Sequence, residues 1–337
     1  MNLQEIKNTA REKMKGYCRV CKVCNGVSCA GEVPGMGGIG TGSSFTSNIE
    51  ALAKVKLNLR TLHNAKDPDI TANVLGMKLS MPILSAPITG SDYNMGGAIP
   101  EAEYISMVIS GSKNAGTIGM CGDGGNPLFY DSGLEAIKEE KGHGIPIIKP
   151  RENSRVIDMA DRARQVGVPA VGMDIDGAGL VTMTLMGQPV RPKNRQELKE
   201  IISSVDLPFI LKGIMTVDEA KIAEEAGASA IVVSNHGGRI LDSTPGVAEV
   251  LSAIAQEMKG KITIFADGGV RSGVDVLKYL ALGADAVLVG RPIIVGAFGG
   301  GAQGVQLVLE TMAKELKQAM ILTGRENIAD INSSVIF

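Results

Sequence analysis

The chain has 337 residues, 44% hydrophobic and 21% charged, with a formal net charge of −2. That balance, with aromatics at 3% and no Trp, excludes a nucleic-acid binder built on a basic face or on stacked aromatics. MNLQEIKNTAREKMKG at the N-terminus is not a signal peptide, and no run of 18 apolar residues marks a membrane span, so the expectation is a cytoplasmic homo-oligomer without nucleic-acid or membrane partners.

Four of the five cysteines come first in the chain, as Cys18, Cys21, Cys24 and Cys29, spaced C-x2-C-x2-C-x4-C. Thiols or metal ligands are expected in the cytosol rather than disulfides. The spacing resembles part of an iron–sulfur ligand run, and one zinc held by four thiolates also fits it. Free thiols at the bottom or rim of the fold are the plainer reading. Next comes GEVPGMGGIGTGSSF. No strand precedes it, so it does not read as a phosphate loop; it is either a flexible lid or a cover for a ligand site. Residues 1–45 are thus read as a separate Cys/Gly-rich segment, and 46–337 as a single domain.

From residue 80 onward, short apolar runs alternate with amphipathic stretches such as SRVIDMADRARQVG and TVDEAKIAEEAG, which carry helical spacing and a closing Gly. Strands are expected at 81–87, 116–120, 144–150, 170–176, 208–214, 230–235, 262–269 and 286–292. Continuous apolar runs indicate strands buried on both faces, hence a parallel sheet. Eight β-α units in one chain point to a (β/α)8 TIM barrel.

Such a barrel builds its site at the C-terminal ends of its strands. The polar residues there are Thr89 after the first run, Cys121 and Asp123 after the second, Lys149 after the third, and Asp174 and Asp176 at the fourth. Lys212 follows at the fifth, Ser234, Asn235, His236 and Arg239 at the sixth, Asp267 and Arg271 at the seventh, and Arg291 at the eighth. Asp123 alone reads better as a helix cap. In ADGGVRSG and VGRP, Gly268, Gly269 and Gly290 allow close backbone approach, while Arg271 and Arg291 supply charge-assisted bonds. A phosphate-bearing ligand is expected there, as substrate or cofactor.

LKGI around Lys212, SNHGGR at 234–239, LD at 241–242 and FADGGVRSGVDVLKYLALGADAVLVGRP resemble the FMN-dependent α-hydroxy-acid oxidases and dehydrogenases, the family of glycolate oxidase and lactate oxidase. The upstream stretch NIEALAKVKLNLRTLHNAKDPDITANVLGMKLSMPILSAP extends the likeness over roughly residues 45–320. The resemblance implies an FMN across the barrel mouth and oxidation of a 2-hydroxy acid to the 2-oxo acid. It places Ala86, Pro87, Thr89, Asp174 and Ser234 near the flavin, and Asp267, Gly268, Gly269, Arg271, Gly290 and Arg291 towards its phosphate. Lys212 would stabilise the anionic reduced ring. His236 would be the base, Asp176 its partner, and Arg239 the clamp on the substrate carboxylate.

The chain also departs from that family. IIKPR puts Lys149 where a Tyr is usual, no early Tyr matches the family's second one, and the segment between the fourth and fifth strands is shorter than its lid-bearing loop. Lys149 then either adds a second substrate cation, favouring a larger or dicarboxylic acid, or pairs with Asp174 or Asp176. Two other functions fit the same cofactor: a non-redox enzyme resembling type 2 isopentenyl-diphosphate isomerase, and a flavin electron-transfer protein. The His-x-x-Arg pair argues against the isomerase. The electron acceptor is left open.

Overall fold

Eight short parallel strands form the centre of the computed structural model, which describes residues 1–337, the side chains of 181 and 182 aside. They are β1 (Ile83–Ser85), β2 (Met120–Cys121), β3 (Ile145–Ile148), β4 (Val171–Asp174), β5 (Phe209–Ile214), β6 (Ala230–Val233), β7 (Thr263–Ala266) and β8 (Ala286–Val289). Each pairs with its sequence neighbour, β8 pairs with β1, and a parallel bridge from Ser85 to Gly119 closes the ring between β1 and β2. This is the (β/α)8 barrel that the alternating pattern predicts. The second strand is shorter than expected from 116–120. There Ser85 N–H donates to Ile118 O and Ile145 N–H to Gly119 O, so 118 and 119 still join the ring outside the regular strand.

The period of two sorts every strand. Leu84, Met120, Ile147, Ile210, Val232, Phe265 and Leu288 fill the barrel, and a hairpin formed by Ala72–Val74 and Met77–Leu79 plugs its lower end with Val74 and Leu79. Ile83, Ile148, Met173, Leu211, Val233, Ala266 and Val289 face the outer helices. Phe265 is fully buried, and cutting such a ring to Ala typically costs ~3–5 kcal/mol. One inward step above this apolar layer stand Ala86, Gly122, Lys149, Asp174, Lys212, Ser234, Asp267 and Gly290. The alternation that fills the core thus also aims these residues at the mouth.

The N-terminal segment is packed against the barrel. Helix α1 (Leu3–Lys13), opened by a capping box of Asn2 and Glu5, lies on the last helix, where only a glycine at 299 leaves room for the carbonyl of Ile6. Helix α2 (Ser43–Lys54) seats Asn48 beside Asn235, with Nδ2 donating to Asn235 Oδ1 at 2.8 Å. Between them, Ile39 N–H donates to Gly238 O at 2.9 Å, and Asp242 accepts from Thr41 N–H at 2.6 Å and Ser43 Oγ–H at 2.7 Å. The last helix, Arg291–Thr323, is long and apolar enough to cross a membrane by length and composition. It is broken at Gly301 (φ 60°, ψ −150°) and packs on α1 and on the helix Glu101–Asn114.

Candidate active site

A cavity of about 620 Å³ opens at the C-terminal end of the barrel. Ala86, Pro87, Thr89, Lys149, Lys212, His236, Arg239, Asp267, Gly268, Gly269, Arg271, Gly290 and Arg291 all line it. Asp174, Asp176 and Ser234 stand behind that lining and touch the residues that form it.

At its centre His236 meets Asp176, Nδ1 lying 3.1 Å from both carboxylate oxygens. The local backbone explains the placement. His236, Gly237 and Gly238 have φ of 58°, 64° and 77°, a left-handed run that turns the chain sharply after β6. Ser234 Oγ accepts from His236 N–H at 3.0 Å and pins the turn. Asp176 reaches across from the 3-10 turn Ile175–Gly179, and β5 makes room for it at Gly213, whose φ is 104°. A Cβ at position 213 would stand 2.5 Å from Asp176 Cγ. That glycine supports the site, and its signal in the sequence was the break it makes in the apolar run of LKGI.

Four further charged groups are buried beside this pair. Lys149 Nζ lies 2.8 Å and Lys212 Nζ 3.2 Å from the Asp174 carboxylate, and Lys212 is 3.8 Å from Asp267. Burial opposes the Asp174 charge, but Lys149, Lys212 and His236 outweigh it and hold its pKa below the usual range. Burial likewise opposes the charge on Lys212, while Asp174, Asp176 and Asp267 overcome it and raise its pKa. Lys212 therefore stays cationic at the cavity wall. Lys149 thus pairs with Asp174, one of the two uses that the sequence left open, while it also lines the cavity. Asp174, Asp176 and His236 lie close enough to hold a metal ion, but the two ammonium groups on Asp174 oppose a further cation there.

The three arginines follow a different pattern. Arg239 donates from Nη1 to Gly35 O (2.6 Å) and Gly37 O (3.1 Å), and from Nη2 to Asn94 Oδ1 (2.8 Å). Arg291 stacks on the Phe45 ring at 3.7 Å and donates to Met36 O at 2.9 Å. Arg271 donates to Cys24 O at 3.2 Å. None of the three forms an ion pair with a carboxylate among the described residues. Burial, then the neighbouring Arg271 and Arg239, depress Arg291 to about 9. A group of half-buried cations facing one cavity without a carboxylate partner suits an anion. Gly268 and Gly269, with φ of 88° and 76°, lie so close to Asn48 that a Cβ at either would collide with it.

Two residues passed over in the sequence complete the wall. The short helix Ser91–Asn94 that follows β1 brings in Tyr93, its ring 5.8 Å from Phe129, and Asn94, the partner of Arg239. Burial and then Glu101 push the Tyr93 phenol up to about 12, so it keeps its proton. A phenol is thus present at the mouth, supplied by this short helix rather than by the third strand. Leu180, Met183 and Met186, from the short segment after β4, give the same cavity an apolar face.

The cysteines bear on the expected metal. All five are free. A tetrahedral zinc draws its four sulfurs to within ~4 Å of one another. Among the described residues no three ligand atoms of these cysteines lie within 4.8 Å of each other, the single such group being Asp174, Asp176 and His236. The four sulfurs are thus not drawn together as one bound zinc would hold them.

Barrel, basic anion pocket and His–Asp pair together define a (β/α)8 protein with a site for an anionic, phosphate-sized group beside a candidate general base. The sequence matches the FMN-dependent dehydrogenase family over residues 35–184 and 181–337, and the chain belongs to that family. It is 32% identical to a 2-hydroxyacid oxidase of Dictyostelium discoideum, over 87% of this chain and 82% of that one. It is 30% identical to an L-lactate oxidase of Lentilactobacillus hilgardii, over 89% of each. A solved structure of mandelate oxidase with 2-hydroxy-phenylacetamide superposes with a TM-score of 0.80 at 28% identity, covering 99% of this chain and 97% of that one.

Proposed function

We propose that this protein oxidises a 2-hydroxy acid carrying a bulky apolar side chain to the 2-oxo acid, with FMN as cofactor. The observation that carries the reading is the placement of His236–Asp176, Lys212 and Arg239 around one cavity whose basic end suits a phosphate. The flavin, when bound, supplies the two-electron oxidation. Arg271 and Arg291, with the backbone at Gly268 and Gly269, hold its phosphate end, and the fixed charge of Lys212 favours an anionic ring.

The chain's own groups do the rest. Three of the five N–H donors of Arg239 are engaged by Gly35, Gly37 and Asn94. Those bonds fix the plane of the guanidinium, and the remaining two are free to grip the substrate carboxylate. Tyr93, kept protonated, adds a neutral donor on the same side. His236 Nε2 takes the substrate proton, and Asp176 at Nδ1 stabilises the imidazolium that results. Residues 33–39 of the N-terminal segment, with Leu180, Met183 and Met186, limit water at the mouth.

The apolar wall favours a larger side chain, and Asp174 gives the Lys149 ammonium a partner other than a second substrate carboxylate. Mandelate, a long-chain 2-hydroxy acid, 2-hydroxyglutarate and glycolate should be compared by kcat/KM. Mandelate or the long-chain acid should lead by at least tenfold. A panel led by glycolate or 2-hydroxyglutarate would end this assignment of substrate class.

A further inference from the structure

The four N-terminal cysteines have no part in this chemistry, yet the structure gathers them on one loop beside it. Cys18, Cys21, Cys24 and Cys29 are all reduced and all partly exposed. The loop is wound by two left-handed residues, Val20 (φ 44°) and Gly26 (φ 88°), so that twelve residues of chain fold back on themselves. Cys18 is close enough to feel the charge of the other three thiols, and Cys29 that of Cys21 and Cys24. Donors are aimed at the sulfurs: Val20 N–H at Cys18 Sγ (3.4 Å) and Arg271 Nη2 at Cys24 Sγ (3.4 Å). A neutral thiol gains little from such donors, whereas a thiolate gains a charge-assisted bond.

We infer that Cys18, Cys21, Cys24 and Cys29 bind a [4Fe–4S] cluster at the edge of the flavin site. Three observations select it over the other uses of four thiols. Disulfides are absent. A single zinc is disfavoured by the spread of the sulfurs. A four-iron cluster instead puts one thiolate on each iron, which suits sulfurs that are neighbours without converging on a point. The thiolate charge finds its complement in Arg271, which holds both the carbonyl and the sulfur of Cys24 at 3.2 and 3.4 Å. Because Arg271 also lines the active-site cavity, the cluster places a one-electron centre against the phosphate end of a two-electron site.

Iron and acid-labile sulfide analysis tests this on the full-length protein, purified without oxygen and reconstituted with ferrous iron and sulfide. After removal of unbound metal, ~4 iron and ~4 sulfide per chain should remain, with an electron paramagnetic resonance signal appearing on reduction by dithionite. Cys21→Ser should lose most of both, whereas Cys121→Ala, which removes the one cysteine outside the loop, should retain them. Less than one iron per wild-type chain would overturn the inference, as would one zinc per chain or equal loading of Cys21→Ser. The wild-type stoichiometry decides the matter even if the Ser variant does not fold. Metal content is read independently of turnover, so a cluster without hydroxy-acid oxidation, or the reverse, separates this inference from the proposed function.

Discussion

Asp176→Asn tests the catalytic geometry with the least disturbance of shape. The Asn amide can still accept from His236 Nδ1–H, but the charge that meets the imidazolium is gone. At 3.1 Å a full charge pair attracts by ~5 kcal/mol at an effective dielectric near 20. The His236 and Asp176 side chains are 19% and 13% exposed, so solvent screens part of this, and about half of it is a reasonable working figure. A loss of ~2.5 kcal/mol in the transition state lowers the rate about 10²-fold. Asp176 does not line the cavity, so substrate affinity should hold while the rate falls. Anaerobic stopped-flow reduction of bound FMN by substrate measures this directly, with flavin content from absorbance as the control for folding. A fully loaded Asn variant whose limiting rate stays within threefold of wild type would refute the role given to Asp176.

Gly213→Ala should lower the same rate at least tenfold without loss of FMN, because a Cβ there meets Asp176 Cγ at 2.5 Å and φ is 104°, a conformation that costs a non-glycine residue ~1–3 kcal/mol; an unchanged rate would mean that Asp176 does not depend on this gap. Tyr93→Phe should reduce kcat/KM about tenfold, the value of one hydrogen bond to a charged group, with equal kcat/KM showing that the phenol does not reach substrate. Glu101 accepts from Gly90 and Ser91 N–H, and burial raises its pKa from 4.5 to about 7. Its contribution to stability is therefore complete below pH 4.5 and is lost as pH rises through 7. Glu101→Gln should lack that loss and gain roughly 3 kcal/mol on wild type between pH 5 and 8, measured by urea unfolding. A difference between the two proteins that does not change with pH would contradict the account.

The barrel was legible because burial on both faces writes continuous apolar runs, and the residue one inward step above each run had to face the mouth. Lys212, Asp174, Asp267 and Lys149 were found by that rule alone. The pairing of Lys149 with Asp174 was open in the sequence, since both partners and a substrate anion satisfy a mouth cation equally well. What the sequence hid was long-range. Arg239 meets Gly35 and Gly37 across about 200 positions, and backbone carbonyls carry no side-chain signature. Tyr93 and Asn94 sit in the short helix Ser91–Asn94, whose start is held by Glu101 accepting from Gly90 and Ser91 N–H. The Gly-rich segment 31–45 could have been a free lid. Asp242, which accepts from Thr41 and Ser43, ties it down instead.

The central claim is that a 2-hydroxy acid reduces FMN held in this barrel and that His236 takes the proton. The most direct measurement mixes purified, FMN-loaded protein with mandelate in the absence of oxygen and follows the flavin absorbance, for wild type and His236→Ala side by side. The account predicts full bleaching of the wild type and formation of one 2-oxo acid per flavin. It also predicts a variant that keeps its FMN but reduces it ~10²–10⁴-fold more slowly. A wild-type flavin that stays oxidised with every 2-hydroxy acid tried, or a variant that bleaches as fast as the wild type, would contradict it.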